Sequence, residues 1–399
     1  PLLDLNTQPS LDLQFATGKT LNDRVSGLPL VNHQRDASSG KSAGTYVGSD
    51  GLIKTSVVNL LTYSDYSQVA GTTTATLEGL AIAPDGTNTA RRYSSPVVDS
   101  AINKIVSNGI DGTDYTFSAY VRSTGVASQV RLQVGNPTYA ELLNISTEWQ
   151  RLDVTKVNNS GTSVRAYIRT INAGDEVEVW GAQLQEGSAA TDYIPTGATI
   201  SGAPRFDHDP VTLESLGLLI EEERTNVTRP SDFSSLWFYT GSGDGIIQTA
   251  YGLAPDGSTS SIYLQPNSSA RVFRNTSGSG ITAGTYTVSL FYKGDKPLSV
   301  GGPGTSVALT DVADYGNGWK RAASTLTFTG GGYLDITVLS GTSVELWGIQ
   351  AELGSFQTSY VPTSASAVTR AADVADITGT NFSSWYNPTD GSFYVQESS

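Results

Sequence analysis

Along most of the chain, apolar and polar residues alternate over short runs: YTFSAYVRS from Tyr115, SVRAYIRTI from Ser163, YTVSLFYKG from Tyr286 and YLDITVLS from Tyr333. A period of two sends alternate side chains to opposite faces of a strand, so these runs predict half-buried antiparallel strands. Turn signals (PDG, NGIDG, NNSG, NAGD, then PDG, SGSG, TAGT, GNGW, TGGG) recur about every 8 to 12 residues, the spacing of a sandwich or barrel. The runs around Trp180 and Trp347 are apolar on both faces, which predicts strands in the middle of a sheet. The segment nearest to a helical period is AINKIVSNG at 101–109.

The pattern is written twice. VEVWGAQLQEGSAATDYIPT at 177–196 returns as VELWGIQAELGSFQTSYVPT at 344–363. Working back, Asn59 matches Asn226, the turn at Asp85 matches that at Asp256, DYTFSAY matches TYTVSLF, and WQR at 149 matches WKR at 319. Solenoid units of roughly 20 to 50 residues are too short for such a repeat, so a duplicated domain is expected. The expected fold is all-β, with two tandem jelly-roll-like antiparallel β-sandwiches at 59–196 and 226–363. Residues 1–58 are expected to form an N-terminal arm for attachment or oligomerisation that packs on a neighbour, and 197–225 a connector in which LGLLIEEE forms a strand or short helix. Residues 364–399 form a C-terminal extension. Its last residues read as a strand without a partner in the chain, to be paired by another subunit or to begin a further domain.

Charge narrows the partners. A net charge of -14 and a pI near 4.5 argue against nucleic acid, whose phosphates are held by clustered Lys and Arg. No run approaches the roughly 18 apolar residues of a membrane span, so no membrane insertion is expected. With no Cys there are neither disulfides nor thiolate chemistry.

Candidate chemistry is sparse. The two histidines, His33 and His208, lie outside the repeats. Asp207-His208-Asp209 reads as a structural turn more readily than as a triad fragment. Glu176 and Glu178 share a strand face, but the second copy carries Ser343 and Glu345 there, so a paired-carboxylate glycosidase is disfavoured and solvated strand charges are expected. No enzyme signature or cofactor is expected. Trp180 and Trp347 read as core, as do Trp149 and Trp319, over which Arg151 and Arg321 are expected to lie. The binding candidates are aromatics near turns that differ between copies: Tyr63, Tyr66, Tyr93 and Tyr139 in the first, Trp237, Phe238, Tyr239, Tyr251 and Tyr315 in the second. LWFYTGSGDG at 236–245 is the densest group. For metal, the weak candidates are Asp85 and Asp256, which with Asp65, Asp232, Glu178 or Glu345 supply some of calcium's roughly six oxygens.

NLLTYSDYS, APDG, YTFSAYVRS, WQR, VWGAQLQEGSAATDYIPT and AVTRAADVADITGTNFSSWYN together resemble bacteriophage virion fibres, the head-spike-fibre and tail-fibre proteins built on carbohydrate-binding-module-like β-sandwiches. GTYVGSDGLIK and PRFDHDPVTLESLGLLIEEERTN extend the likeness to most of the chain. The resemblance implies a structural protein on the virion exterior that adheres to host-surface glycans, probed against a capsid decoration or cement protein and, more remotely, a polysaccharide depolymerase. It also implies a homotrimer with other virion proteins as neighbours. For Trp180, Gly181, Gln183, Tyr193, Pro195 and Thr196, and for Trp347, Gly348, Gln350, Tyr360, Pro362 and Thr363, it implies a fold-marking role.

Overall fold

The structure is a computed structural model describing residues 9–38, 41–69, 73–106, 109–135, 141–159, 161–235, 237–240, 245–267, 271–275, 280–389, 391–392 and 394–395. The fold is all-β and antiparallel, and the chain divides into two compact units. One holds 34–38 and 57–203; the other holds 1–33, 39–56 and 204–399.

The first unit is a sandwich of two sheets. One has the strand order Glu141–Asn144, Gln129–Val134, Val164–Thr170, Ala101–Val106; the other runs Gln150–Val157, Asp114–Ser123, Glu176–Glu186, Ala90–Ser94, Thr76–Ala81. Its core forms where inward residues of the two sheets meet, among them Phe117, Val121, Leu132, Ile168 and Leu184. The stretch Ala101–Val106 is a strand rather than the start of a helix. Ile102 and Ile105 are β-branched, and the strand pairs along its length with Val164–Arg169.

The second unit contains a sandwich of the same plan. Its larger sheet has the order Gly245–Gln248, Ile262–Pro266, Val344–Leu353, Gly284–Gly294, Trp319–Phe328, Thr310–Asp314. Its smaller sheet runs Trp237–Tyr239, Arg271–Asn275, Leu334–Val338, Ser299–Gly302, Thr305–Ala308. The Trp180 and Trp347 strands are central in their sheets, as their apolar faces predict.

Around the second sandwich the flanking segments are ordered. Thr45–Val47 and Ile53–Thr55 form a hairpin whose Ile53 joins an aromatic cluster with Phe291, Trp319, Trp347 and Tyr360. In the connector, Ser215–Leu218 is a strand paired with Phe206–His208. Of the expected terminal strand, residues 393 and 396–399 lie outside the described residues, and 391–392 and 394–395 are in no strand of this chain. Earlier in the extension are a strand, Val374–Asp376, and a short helix, Gly379–Ser383.

Candidate functional site

The residues shared by the two copies build a frame. Asn59 Nδ2 donates to the carbonyls of Ala182 and Ile194 at 3.0 and 2.8 Å, while its Oδ1 accepts from the N–H groups of Leu61 and Leu184. Asn226 repeats the pattern on Ile349, Val361, Thr228 and Ala351. Gln183 Oε1 accepts from Ile194 N at 2.7 Å and Gln350 Oε1 from Val361 N at 2.6 Å, tying the Tyr-x-Pro-Thr exit to the central strand. The hydroxyls of Tyr193 and Tyr360 lie 2.6 Å from Ser64 and Ser231. Gly181 and Gly348 take positive φ of 64° and 61° at a bulge, where a Cβ would come 2.9 Å from Tyr120 and 2.8 Å from Phe291. These markers therefore hold the fold.

Trp180 and Trp347 are packed, with Nε1 donating to Thr89 and Ser260, each at 3.0 Å. Arg151 does not lie over Trp149: it sits 5.7 Å from the Tyr120 ring, and Arg122 covers Trp149 at 4.7 Å. Arg321 likewise lies over Phe291 rather than Trp319. The reason is ladder geometry, since a side chain directly opposite on the next strand is nearer than one two places along the same strand.

Four of the seven described aromatic candidates pack in or against a core. Trp237 stacks on Phe273 and packs against Phe233, with its Nε1 donating to Pro230 O. Tyr66 and Tyr93 are 2 % exposed and belong to the first core, and Tyr315 packs edge-on against Phe291, where burial raises its phenol. Tyr63 takes a positive φ, and its carbonyl accepts from the buried Lys104 ammonium at 2.7 Å. Phe238 is exposed. Tyr139, the Tyr239 side chain, Leu236 and 241–244 lie outside the described residues.

Tyr251 is different. It is 48 % exposed and stacks on Tyr263 with ring centroids 4.7 Å apart and planes at 26°. Tyr263 projects outward because Ile262 and Leu264, on either side of it, point into the core. It sits opposite Glu345 on the central strand, which in turn faces Lys293. Glu345 accepts from Ser261 Oγ at 3.1 Å and pairs with Lys293 at 3.5 Å. Sequence reasoning named Tyr251 and passed over Tyr263 and Lys293; alternation within IYLQP, which puts Tyr263 on the outer face, was the available signal.

The equivalent surface of the first sandwich is closed by charge. Glu178 is 3 % exposed and accepts from Arg92 Nε and Nη2 at 3.0 and 2.7 Å and from Arg122 Nε at 2.6 Å. It is not a solvated strand charge, because two guanidinium groups from neighbouring strands meet over it. Both its oxygens accept hydrogen bonds, an arrangement for an ion pair rather than a proton donor.

The connector histidine is structural. His208 Nδ1 lies 3.1 Å from Val47 O, and Asp207 accepts from Val47 N at 2.6 Å, so both secure the hairpin; Asp209 caps the turn at Val211 and Thr212. Nearby, Arg205 and Arg370 are fully buried and bridge Glu221, with Arg205 also on Asp373 at 2.5 Å and His33 3.4 Å from Asp373. Burial alone raises the Glu221 carboxyl, but Arg370 and Arg205 outweigh it and hold the group below its ordinary range. Of the calcium candidates, Glu178 and Glu345 are engaged as above, and Asp85 and Asp256 each fold back on their own turn. Among the described residues no three His, Asp or Glu side chains form a metal cluster.

No protein-family model matches the chain, and no curated protein does. Among solved structures, the CBM22-1-CBM22-2 tandem domain of Paenibacillus barcinonensis Xyn10C is 10 % identical, with a TM-score of 0.25, over 75 % of this chain and 99 % of that one. The tripod (BppUct-A-L) from the baseplate of bacteriophage Tuc2009 is 12 % identical, with a TM-score of 0.24, over 75 % and 98 %. A Paenibacillus xanthan lyase is 13 % identical, with a TM-score of 0.30, over 73 % of this chain and 26 % of the lyase. At these identities and scores the likenesses add nothing to the fold or the function, which rest on the strands and side chains described above.

Proposed function

We propose that this chain is a non-catalytic structural protein of the phage virion exterior, a spike or fibre on head or tail, whose second sandwich holds host-surface glycan. The observation that carries the glycan reading is the open Tyr251–Tyr263 pair beside Glu345 and Lys293. A tyrosine face suits the C–H side of a pyranose ring, and an adjacent carboxylate and ammonium suit its hydroxyls. Support for the virion setting, for a homotrimer and for other virion proteins as partners comes from the sequence resemblance. Support for a non-catalytic role comes from Glu178, whose oxygens are occupied by Arg92 and Arg122, and from the structural use of His208.

The test is a glycan array followed by titration of whichever host polysaccharide is retained. Tyr251→Ala removes an exposed ring without touching the core, so it should weaken binding about tenfold, the factor given by roughly 1.4 kcal/mol. Absence of any retained polysaccharide, together with stable attachment to capsids, would replace this reading with that of a decoration protein. Release of reducing ends from host capsule would replace it with that of a depolymerase.

A further inference from the structure

A cavity of about 380 Å³ opens between the Thr45–Thr55 hairpin and the second sandwich, both parts of one compact unit. That is near the lower end of ligand pockets, roughly 300 to 1,000 Å³, and suits one sugar residue better than a chain. Two carboxylates line it, Asp232 and Asp256. Each uses Oδ1 to close its own turn, on Ser234 N at 3.0 Å and on Ser258 N and Oγ at 2.9 and 2.6 Å, so their positions are fixed before any ligand arrives. Both border the same space as the Tyr360 ring in the cavity wall. No Lys, Arg or His is among the described lining residues.

The remaining wall is hydroxylic with one apolar side. Ser258 and Ser260 hydroxyls lie 2.5 Å apart, and Ser260 takes the Trp347 N–H. Ile53 covers the other side, its backbone N–H donating to Pro255 O at 2.9 Å. Negative charge with no cation among the described lining residues, hydroxyl partners and an aliphatic cover together select a polyhydroxyl ring that carries a positive charge.

We propose that this cavity is a second glycan site, distinct from the Tyr251–Tyr263 face, and that it takes an amino sugar with a free ammonium group. An anionic uronic acid would meet two carboxylates and be rejected, and N-acetylation would remove the charge that is recognised. The proposal rests on the glycan-binding reading and names the ligand class for a separate part of the same unit.

The experiment is calorimetric and NMR titration of the full chain with glucosamine, N-acetylglucosamine and glucuronate, repeated with Asp232→Asn, Asp256→Asn and Tyr251→Ala. Asparagine keeps the turn-closing oxygen, so the fold should survive, and a thermal melt verifies it. Glucosamine should bind, with the acetylated sugar and each Asn variant weaker by up to about fivefold, as loss of one screened charge pair implies. Tyr251→Ala should leave glucosamine binding unchanged while lowering polysaccharide retention, so failure of one site is distinguishable from failure of the other. Equal binding of the three sugars, no binding of glucosamine, or indifference to both Asn variants overturns the proposal. So does saturation by calcium with no response to the amine, which would make the cavity a metal site.

Discussion

The two sandwiches share a skeleton and differ on its outer face. Asn59 and Asn226, Gln183 and Gln350, and Tyr193 and Tyr360 make corresponding bonds in each. On the outer face, by contrast, Arg92, Glu178 and Arg122 of the first sandwich correspond to Tyr263, Glu345 and Lys293 of the second. Leu80 of the first stands where the second has Tyr251. One carboxylate position is thus kept in both, enclosed by arginines in one and set beside open tyrosines in the other. A duplicated frame leaves such surface positions free to diverge, because the hydrogen bonds that specify the fold lie elsewhere.

The largest effect should come from the frame itself. Trp→Ala in a core typically costs about 3 to 5 kcal/mol. Trp347, 3 % exposed and in one cluster with Ile53 of the hairpin, should sit at the upper end when changed to Ala. Trp180, 8 % exposed and packed with Ala81, Ala83 and Ala90, should sit about 1 kcal/mol lower. Urea unfolding followed by tryptophan fluorescence measures both, and equal costs would mean that the hairpin adds nothing to its sandwich.

Next comes the buried charge that secures the hairpin. Arg205→Met removes donors from Thr45 O, Glu221, Ser359 and Asp373, and breaking such a pair typically costs about 3 kcal/mol or more. Released hairpin amides should then exchange hydrogen faster than those of the first sandwich. The same cluster predicts acid sensitivity. Because Glu221 is held below its ordinary value of 4.5, the stability it contributes is present above that pH and lost as pH falls further. Glu352, raised by burial, acts in the opposite sense, so an acid melt of Glu352→Gln should separate the two.

The sequence made the frame legible because both its signals are local. Alternation of period two gives the strands, and a strand apolar on both faces, such as VEVWGAQL, has to be central. It did not make Glu178 legible, since the guanidinium groups that enclose it come from Arg92 and Arg122, 86 and 56 residues away. Pairing register decides that meeting, and register is a tertiary property. The aromatic candidates divided for a related reason: Trp237 and Tyr251 look alike beside turns, yet one stacks on Phe273 inside the core and the other on Tyr263 outside it. Asp232 and Asp256 were visible only as weak calcium candidates, because the hairpin that completes the cavity they line lies far upstream.

A third contrast is a buried cation in the first sandwich. Lys104 is 4 % exposed, donates to Thr62 O and Tyr63 O at 3.0 and 2.7 Å and to Gln68 O, and burial lowers its pKa to about 8. Between about 8 and the ordinary 10.5 the unfolded chain binds more protons, so this group makes stability rise with pH across that window. The gain should be about 2 kcal/mol after allowance for solvent around the ammonium, and it should vanish in Lys104→Met. Denaturant midpoints at pH 8 and 10 in both proteins measure it.

The smallest effect is the most direct trial of the comparison. If divergence on one face accounts for glycan binding by the second sandwich alone, the triple change Leu80→Tyr, Arg92→Tyr and Arg122→Lys should transfer it to the first. The scaffold is prepared for this: Leu80 is 47 % exposed, and both arginines lie at the outer surface with side chains 45 % and 29 % exposed. Glu178 would exchange two guanidinium partners for one ammonium, as Glu345 has with Lys293. Against a Tyr251→Ala background, where the original face is disabled, polysaccharide retention should return with a gain of about 1 kcal/mol. The single change Arg92→Tyr should not suffice, because without Leu80→Tyr the new ring has no stacking partner. Recovery by Arg92→Tyr alone would show that stacking is dispensable; no recovery by the triple variant, with its fold intact, would show that residues beyond these positions make the second face a binding site.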